Sequence, residues 1–345
     1  MSPTETQAAS TICIAEDRVS ERHALMLLIL SLRRYAPPSY DILLHYPVAD
    51  LEFESWVSQF DGVRLLKQEL KRPFSWNIKP TAILHALSMG YNRVIWIDSD
   101  VIVCKDISDL FGALPIHTLV VSEEPRMMAN WGGYGRTREW GFEVGNPVIA
   151  TVNTGIMSFS SDHLELLHEW RSCLGSDRYI RAQSESFERR AYYLQGDQDV
   201  LTALIGSKKF AGIEIMYLRS GRDVIQSVAP ASNPLFFRFK HVMSGWPYFI
   251  HSMRRKPWRI SRTPRVWKLQ CYYDALHCEI SPYTSAARQL ARNHFLSWPW
   301  LTRTTAIGLL LKASGLFLPP LYGIPLSALD SYARFLKKRA LGRKP

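Results

Sequence analysis

From residue 11 onward the chain alternates short apolar runs with longer segments whose apolar residues recur every three or four positions. The runs at 11–15 ("STICIAED", ending in acids), 40–47 ("YDILLHYP"), 62–66 ("GVRLL") and 94–97 have the β-branched and aliphatic content of buried strands. Between them, "ERHALMLLILSLRRYAP" reads as a helix closed by Pro37, and "ESWVSQF" as a short one. "KPTAILHALSMG" reads as a third helix, with Pro80 in its first turn and Gly90 just beyond its end. Further on, 118–122 and 148–159 read as strands, the second broken near 153–155. "DHLELLHEWRSCL" is an amphipathic helix, and "QGDQDVLTALIG" a loop entering a helix with Asp197 or Asp199 as its cap. Strands alternating with helices predict an α/β domain with a largely parallel sheet. In such sheets ligands bind outside the carboxyl ends of the strands.

One stretch breaks the pattern. In "YNRVIWIDSDVIV" (91–103) four apolar residues run straight into Asp98 and Asp100, after which 101–103 could extend the strand. Two like charges one residue apart repel each other, and burying an unpaired carboxylate is costly. A divalent cation between them removes both penalties, whereas a turn with two solvated acids avoids them. The motif alone fits either.

Composition narrows the class. The 345 residues are 47% hydrophobic and 21% charged, ordinary for a globular chain and long enough for about two domains. Five cysteines form no CxxC pair, which points to a reducing compartment and away from a structural zinc site. The start "MSPTETQAAS" lacks the basic and apolar stretches of a secretion signal. The net charge of +11 is unevenly placed: 252–345 carries 17 Lys and Arg against Asp274, Glu279 and Asp330, leaving 25 basic and 28 acidic residues in 1–251. A boundary near residue 260 follows, with domains at 11–260 and 261–345.

Five ordered segments of 11–260 resemble the retaining GT-A glycosyltransferases that include glycogenin and the bacterial lipooligosaccharide galactosyltransferases (glycosyltransferase family 8-like). They are Ala15-Glu16-Asp17 at the end of the first strand with Lys79 on a helix, Asp98-Ser99-Asp100, Asn153-Thr154-Gly155, Asp197-Gln198-Asp199, and His251 followed by Lys256-Pro257-Trp258. The resemblance implies a GT-A fold, a Rossmann-like, mostly parallel mixed sheet flanked by helices. It implies a UDP-sugar donor and Mn²⁺, with Mg²⁺ as the alternative, held by Asp98, Asp100 and His251. It places Ala15, Glu16, Asp17, Lys79, Ser99, Asn153 and Lys256 at the donor, with Glu16 or Asp17 meeting the uracil or ribose. Gln198 and Asp197 then face the sugar opposite its leaving diphosphate, where a carbonyl oxygen stabilises positive charge. Retention is likewise inherited from the family. The chain departs from the family's His-x-x-Gly-x-x-Lys-Pro-Trp, reading "HSMRRKPW", one residue shorter and without the glycine. Arg254 or Arg255 could share the phosphate role there, and His241 is a weaker substitute for His251.

After residue 260 the chain changes character. The apolar stretch 298–326 is interrupted by Lys312 and Pro319-Pro320, so it is a poor membrane span. The next segment places Leu326, Leu329, Tyr332, Ala333 and Leu336 on one helical face, with Arg334, Lys337, Lys338, Arg339, Arg343 and Lys344 crowding its end. Basic amphipathic segments of this kind lie on anionic lipid. This helical, basic and apolar extension therefore predicts peripheral attachment at the cytoplasmic, inner face of a membrane, with a saccharide acceptor that is lipid-linked or lipopolysaccharide. A helical subdomain packed on the core is the plainer alternative. No nucleic-acid recognition motif is present. Three other readings remain: a haloacid-dehalogenase-type phosphatase, disfavoured by Ile102 where that family has Thr; a catalytically silent GT-A-like binder; and a GT-A enzyme of a neighbouring family with another donor.

Overall fold

The computed structural model describes residues 10–70, 75–125, 132–260, 269–294 and 296–340. Ten strands run through the described residues: β1 (Ser10–Ala15), β2 (Asp41–His45), β3 (Val63–Leu66), β4 (Arg93–Ile97), β5 (Val101–Val103), β6 (Leu119–Glu123), β7 (Val152–Ser160), β8 (Ile215–Leu218), β9 (Val224–Gln226) and β10 (Phe249–His251). The chain forms two compact units. The first comprises Met1–Val19, Pro37–Ser99 and Ser108–Leu218; the second comprises Ser20–Ala36, Asp100–Ile107 and Arg219–Pro345. The change in charge near residue 260 thus falls inside the second unit.

The first unit is an α/β layer structure around a seven-stranded mixed sheet, in the order β3-β2-β1-β4-β7-β6-β8. All strand pairs are parallel except the two that β7 makes with β4 and β6. Every residue of β4 and β7 is buried, including the polar Arg93, Asn153, Thr154, Ser158 and Ser160, as in a sheet covered on both faces. The Lys79–Ser88 helix packs on β1 and β4, and the Leu164–Leu174 helix packs on it in turn. Cys13, Leu43, Trp96, Met157 and Trp170 belong to the resulting core. The break expected in 148–159 is absent, because β7 runs continuously from Val152. Its pairing with β6 is nevertheless interrupted close to the expected place: Val121 lies opposite Met157 and Ser122 opposite Asn153, so that residues 154–156 of β7 have no register partner on β6. The Asn153 side chain accepts from the Gly155 backbone N–H at 3.0 Å, satisfying that turn-like sequence within the strand.

The second unit holds a three-stranded sheet, β5-β10-β9, and a series of helices. Residues 101–103 do not extend β4; they form β5, antiparallel to β10, so that Val101 lies opposite His251. The Arg22–Tyr35 helix covers β5, and Ser31 Oγ accepts from the Val103 N–H at 3.1 Å. Beyond β10 come the Leu269–Ile280, Pro282–Asn293, Ala306–Ala313 and Ile324–Ala340 helices. Among the described residues no helix is long and apolar enough to cross a membrane. Residues 261–268, Arg343 and Lys344 lie outside the described residues.

Candidate active site

In the first unit the carboxyl ends of β1 and β4 share an edge of the sheet with the start of antiparallel β7, which sets the predicted residues together. The Asp98 backbone N–H donates to the Gly155 carbonyl at 2.8 Å, fixing the residue after β4 against β7. Lys79, in the first turn of its helix, is buried, where the sequence alone allows an ordinary exposed lysine. Its Nζ lies 3.0 Å from Asp98 Oδ1 and 3.4 Å from Asp197 Oδ2, and donates to Thr154 Oγ1 at 2.9 Å. The Thr154 hydroxyl in turn donates to Asp197 Oδ2 at 2.9 Å. Trp96, inside β4, donates its indole N–H to Asp98 Oδ1 at 2.7 Å. One ammonium therefore serves two carboxylates. Burial raises the Asp197 pKa; Lys79 opposes the rise and the negative charge of Asp98 adds to it.

The cap of the Asp197–Ile205 helix is Gly196, neither of the two expected acids; Asp199, in the third helical position, reaches back to it, its Oδ2 accepting from the Gly196 N–H at 3.0 Å. Its Oδ1 receives Arg136 Nε at 2.7 Å, and burial lifts its pKa to about 6 despite that partner. Asp197 is thereby left for Lys79 and Thr154. Gln198 is half-buried and accepts from Asn153 Nδ2 at 3.4 Å, while the same amide donates to Glu124 at 3.0 Å.

At the end of β1 the two acids part company. Glu16 is buried and accepts from Ser99 Oγ at 2.6 Å and from Arg18 Nε at 2.7 Å. Asp17 keeps about a quarter of its side chain in solvent, at 28%. Ser99 thus ties the Asp98-Ser99-Asp100 turn to β1.

The chain passes into the second unit at Asp100. Its Oδ1 lies 3.3 Å from His251 Nε2, and its Oδ2 accepts from Lys256, whose ammonium also donates to the Ser252 carbonyl. Burial alone would raise the Asp100 pKa; Lys256 and His251 more than reverse it and hold the carboxyl well below the usual range. The Lys-Pro-Trp segment is anchored by Glu21, which the sequence reading did not single out: Trp258 Nε1 donates to it at 3.2 Å and Arg259 Nε at 2.6 Å. At the position where the His-x-x-Gly-x-x-Lys-Pro-Trp pattern that this segment resembles has glycine, Arg254 adopts a left-handed φ of 60°. The shortened loop keeps the backbone conformation that glycine would supply, at a cost of roughly 1–2 kcal/mol for a residue with a Cβ. Arg255 lies 2.9 Å from Asp274 with most of its side chain exposed. His241 is buried within its own helix, and burial lowers its pKa.

The donor set fits a divalent cation. Within the second unit Asp100 and His251 offer a carboxylate and an imidazole, Asp98 precedes Asp100 by two residues along the chain, and His251 Nδ1 is buried without a hydrogen-bond partner. Mixed oxygen and nitrogen ligands suit Mn²⁺ and accept Mg²⁺ less well. Thr154 and Glu21 act through pairings between distant segments, with Asp197 and with Trp258 and Arg259, which no local pattern records, whereas Trp96 and Arg18 reach carboxylates only two residues away.

No family model matches the sequence, and no curated protein matches it. Among solved structures the chain is similar to several glycosyltransferases. The WbbM bifunctional glycosyltransferase is 16% identical with a TM-score of 0.46, covering 79% of this chain and 52% of that one. GlyE of Streptococcus pneumoniae TIGR4 is 16% identical with a TM-score of 0.43, covering 85% and 65%. A glycosyltransferase involved in the glycosylation of the major capsid of PBCV-1 is 13% identical with a TM-score of 0.41, covering 72% and 94%. The match thus spans about half of WbbM and under two thirds of GlyE.

Proposed function

We propose that the chain is a GT-A glycosyltransferase, related to the glycogenin and lipooligosaccharide galactosyltransferase family, that moves galactose or glucose from a UDP-sugar to a saccharide with retention. The observation that carries this reading is the buried charge imbalance at the sheet edge, one Lys79 against Asp98 and Asp197, followed two residues along the chain by Asp100 with its histidine and lysine.

Asp98, Asp100 and His251 would hold the cation, which supplies Lewis-acid stabilisation to the departing diphosphate. Lys256, a mobile point charge, then exchanges its contact with Asp100 for a phosphate oxygen. Trp96 and Lys79 keep the Asp98 carboxylate oriented throughout. As the sugar carbon becomes electron-poor, the negative surplus at Asp197 and the side-chain carbonyl of Gln198 stabilise it without a proton transfer. With Glu16 committed to Ser99 and Arg18, the nucleoside contact falls to Asp17 and to the backbone at Ala15. Asn153 contacts the transferred sugar or its acceptor.

The second part of the proposal is attachment of 261–345 to anionic lipid at the cytoplasmic face, presenting a lipid-linked acceptor. Support comes from the Ile324–Ala340 helix, which exposes Leu329, Tyr332, Phe335 and Leu336 beside Arg339.

Hydrolysis of a panel of UDP-, GDP- and ADP-sugars, with Mn²⁺ or EDTA, tests the transferase reading. One UDP-hexose should turn over with Mn²⁺, and Asp100→Ala should reduce the rate at least about 10³-fold, the equivalent of about 4 kcal/mol. Absence of both turnover and binding across the panel would sink the reading and leave a silent binder. A different nucleotide would move the chain to a neighbouring GT-A family.

A further inference from the structure

Two helices of the second unit are inside out. The Leu235–Ser244 helix buries Arg238, 4% exposed, and His241, while it turns Phe236 (74%), Met243 (86%), Leu235 and Phe239 to solvent. The Ala306–Ala313 helix does the same: Lys312 is buried against Glu279, and Leu310 is 69% exposed. In a chain surrounded by water the arrangement should be reversed, because hydrophobic burial is the main source of stability.

The buried charges are well provided for. Arg238 donates to the carbonyls of Asn233, Pro230 and Tyr322 at 2.7–2.8 Å. These bonds clamp its helix to the turn that follows Leu318, so the outward face continues into Leu316 and Phe317. Both of those residues have φ near +54°, a conformation costly to any residue with a Cβ, and both side chains point into solvent. The strain therefore serves exposure of two large apolar groups rather than their burial.

Charge decides the occupant. Residues 219–345 contain 21 Lys and Arg and four acids. Each acid is engaged: Asp223 with Arg222, Asp274 with Arg255, Glu279 with Lys312 and Asp330 with Arg334. Lys240 is exposed on the same helix as the outward phenylalanines. A second copy of the chain would bring an equal positive excess against this one, which like-charge repulsion disfavours. An anionic lipid surface offers both the apolar layer and the opposite charge.

We infer that Leu235, Phe236, Phe239 and Met243, with Leu316 and Phe317, form a lipid-docking face on an anionic membrane surface, so that the contact reaches well beyond the C-terminal region. The inference rests on the membrane part of the proposed function and gives it a location.

Vesicle flotation of the full chain provides the test, with phosphatidylcholine alone and with added phosphatidylglycerol. The variants are F236S/F239S/M243S and, separately, L329S/Y332S/F335S. Removing three inserted apolar side chains should weaken partition to the anionic vesicles at least about tenfold. Donor hydrolysis and thermal midpoint should not move. Binding unchanged in the first variant overturns the inference; if the second variant alone loses binding, attachment through the C-terminal helix stands without it. A wild-type chain that ignores vesicles but is a dimer by light scattering, dissociated by the first variant, assigns the face to a second copy and also overturns it. Vesicle binding lost in the first variant, from a chain that hydrolyses no nucleotide sugar, supports the docking face while removing the transferase reading.

Discussion

Both units bury charge, and they do so with opposite completeness. In the second unit Glu279 accepts from the Thr305 backbone, the Thr305 hydroxyl and Lys312, and Arg238 is spread over several carbonyls. In the first, Lys79 is divided between Asp98 and Asp197, and the cluster keeps a negative surplus. A saturated buried pair holds structure and asks for nothing more, whereas an unsaturated one is waiting for a ligand. Burial of charge is therefore no guide to function until partners are counted.

The comparison can be broken first at its structural end. Lys312→Met leaves Glu279 buried without its cation, and urea unfolding should report a loss of about 3–5 kcal/mol, with donor hydrolysis retained. Pairing that change with Glu279→Gln should recover much of the loss. A result within experimental error of wild type would mean that the pair is not the saturated structural unit described above.

A pH series sharpens the comparison within the first unit. Burial, reinforced by His85, lowers the His45 pKa from 6.5 to about 4. The folded state therefore favours the neutral ring: its contribution is complete above pH 6.5 and is lost as pH falls toward 4. The total loss is about 3 kcal/mol at 1.36 kcal/mol per unit. His45→Leu should flatten that part of the stability profile. Because burial also lowers His277 to about 4 and lowers His163 and His241, a residual slope of the same sign in the variant would come from these three.

The smallest effect is expected at the shortened loop. Arg254→Gly relieves a left-handed φ at the price of greater freedom in the unfolded chain, for a net gain of at most about 1 kcal/mol. A loss of stability would show that the arginine side chain contributes more than its backbone costs.

How much of this was legible in the sequence depended on the range of the interaction. Asp98 and Asp100 stood out because a buried strand cannot end in two acids without consequence, and Lys79 because the family that the chain resembles places a basic residue one helix before that strand. The direction of β7 was not legible, since parallel and antiparallel strands carry the same residues. Nor was the Glu16–Ser99 bond, which joins segments 83 residues apart. The Ile324–Ala340 helix could be seen to be amphipathic from its spacing. Spacing does not say which face turns inward, and in the Leu235–Ser244 helix the apolar one turns outward because Arg238 has four carbonyl oxygens to satisfy it.

The antiparallel course of β7 also bears on the order in which the molecule assembles. Asp98 is held by the Gly155 carbonyl, and Ile97 pairs with Ile156, so the end of β4 is completed only by a segment nearly sixty residues further along. Closing so long a loop costs entropy before any contact repays it. The parallel neighbours β1 and β2 lie nearer in sequence and can pair earlier. During refolding, helices should therefore return ahead of the complete sheet, and the delay between the two would time the joining of β4 to its distant neighbours β1 and β7.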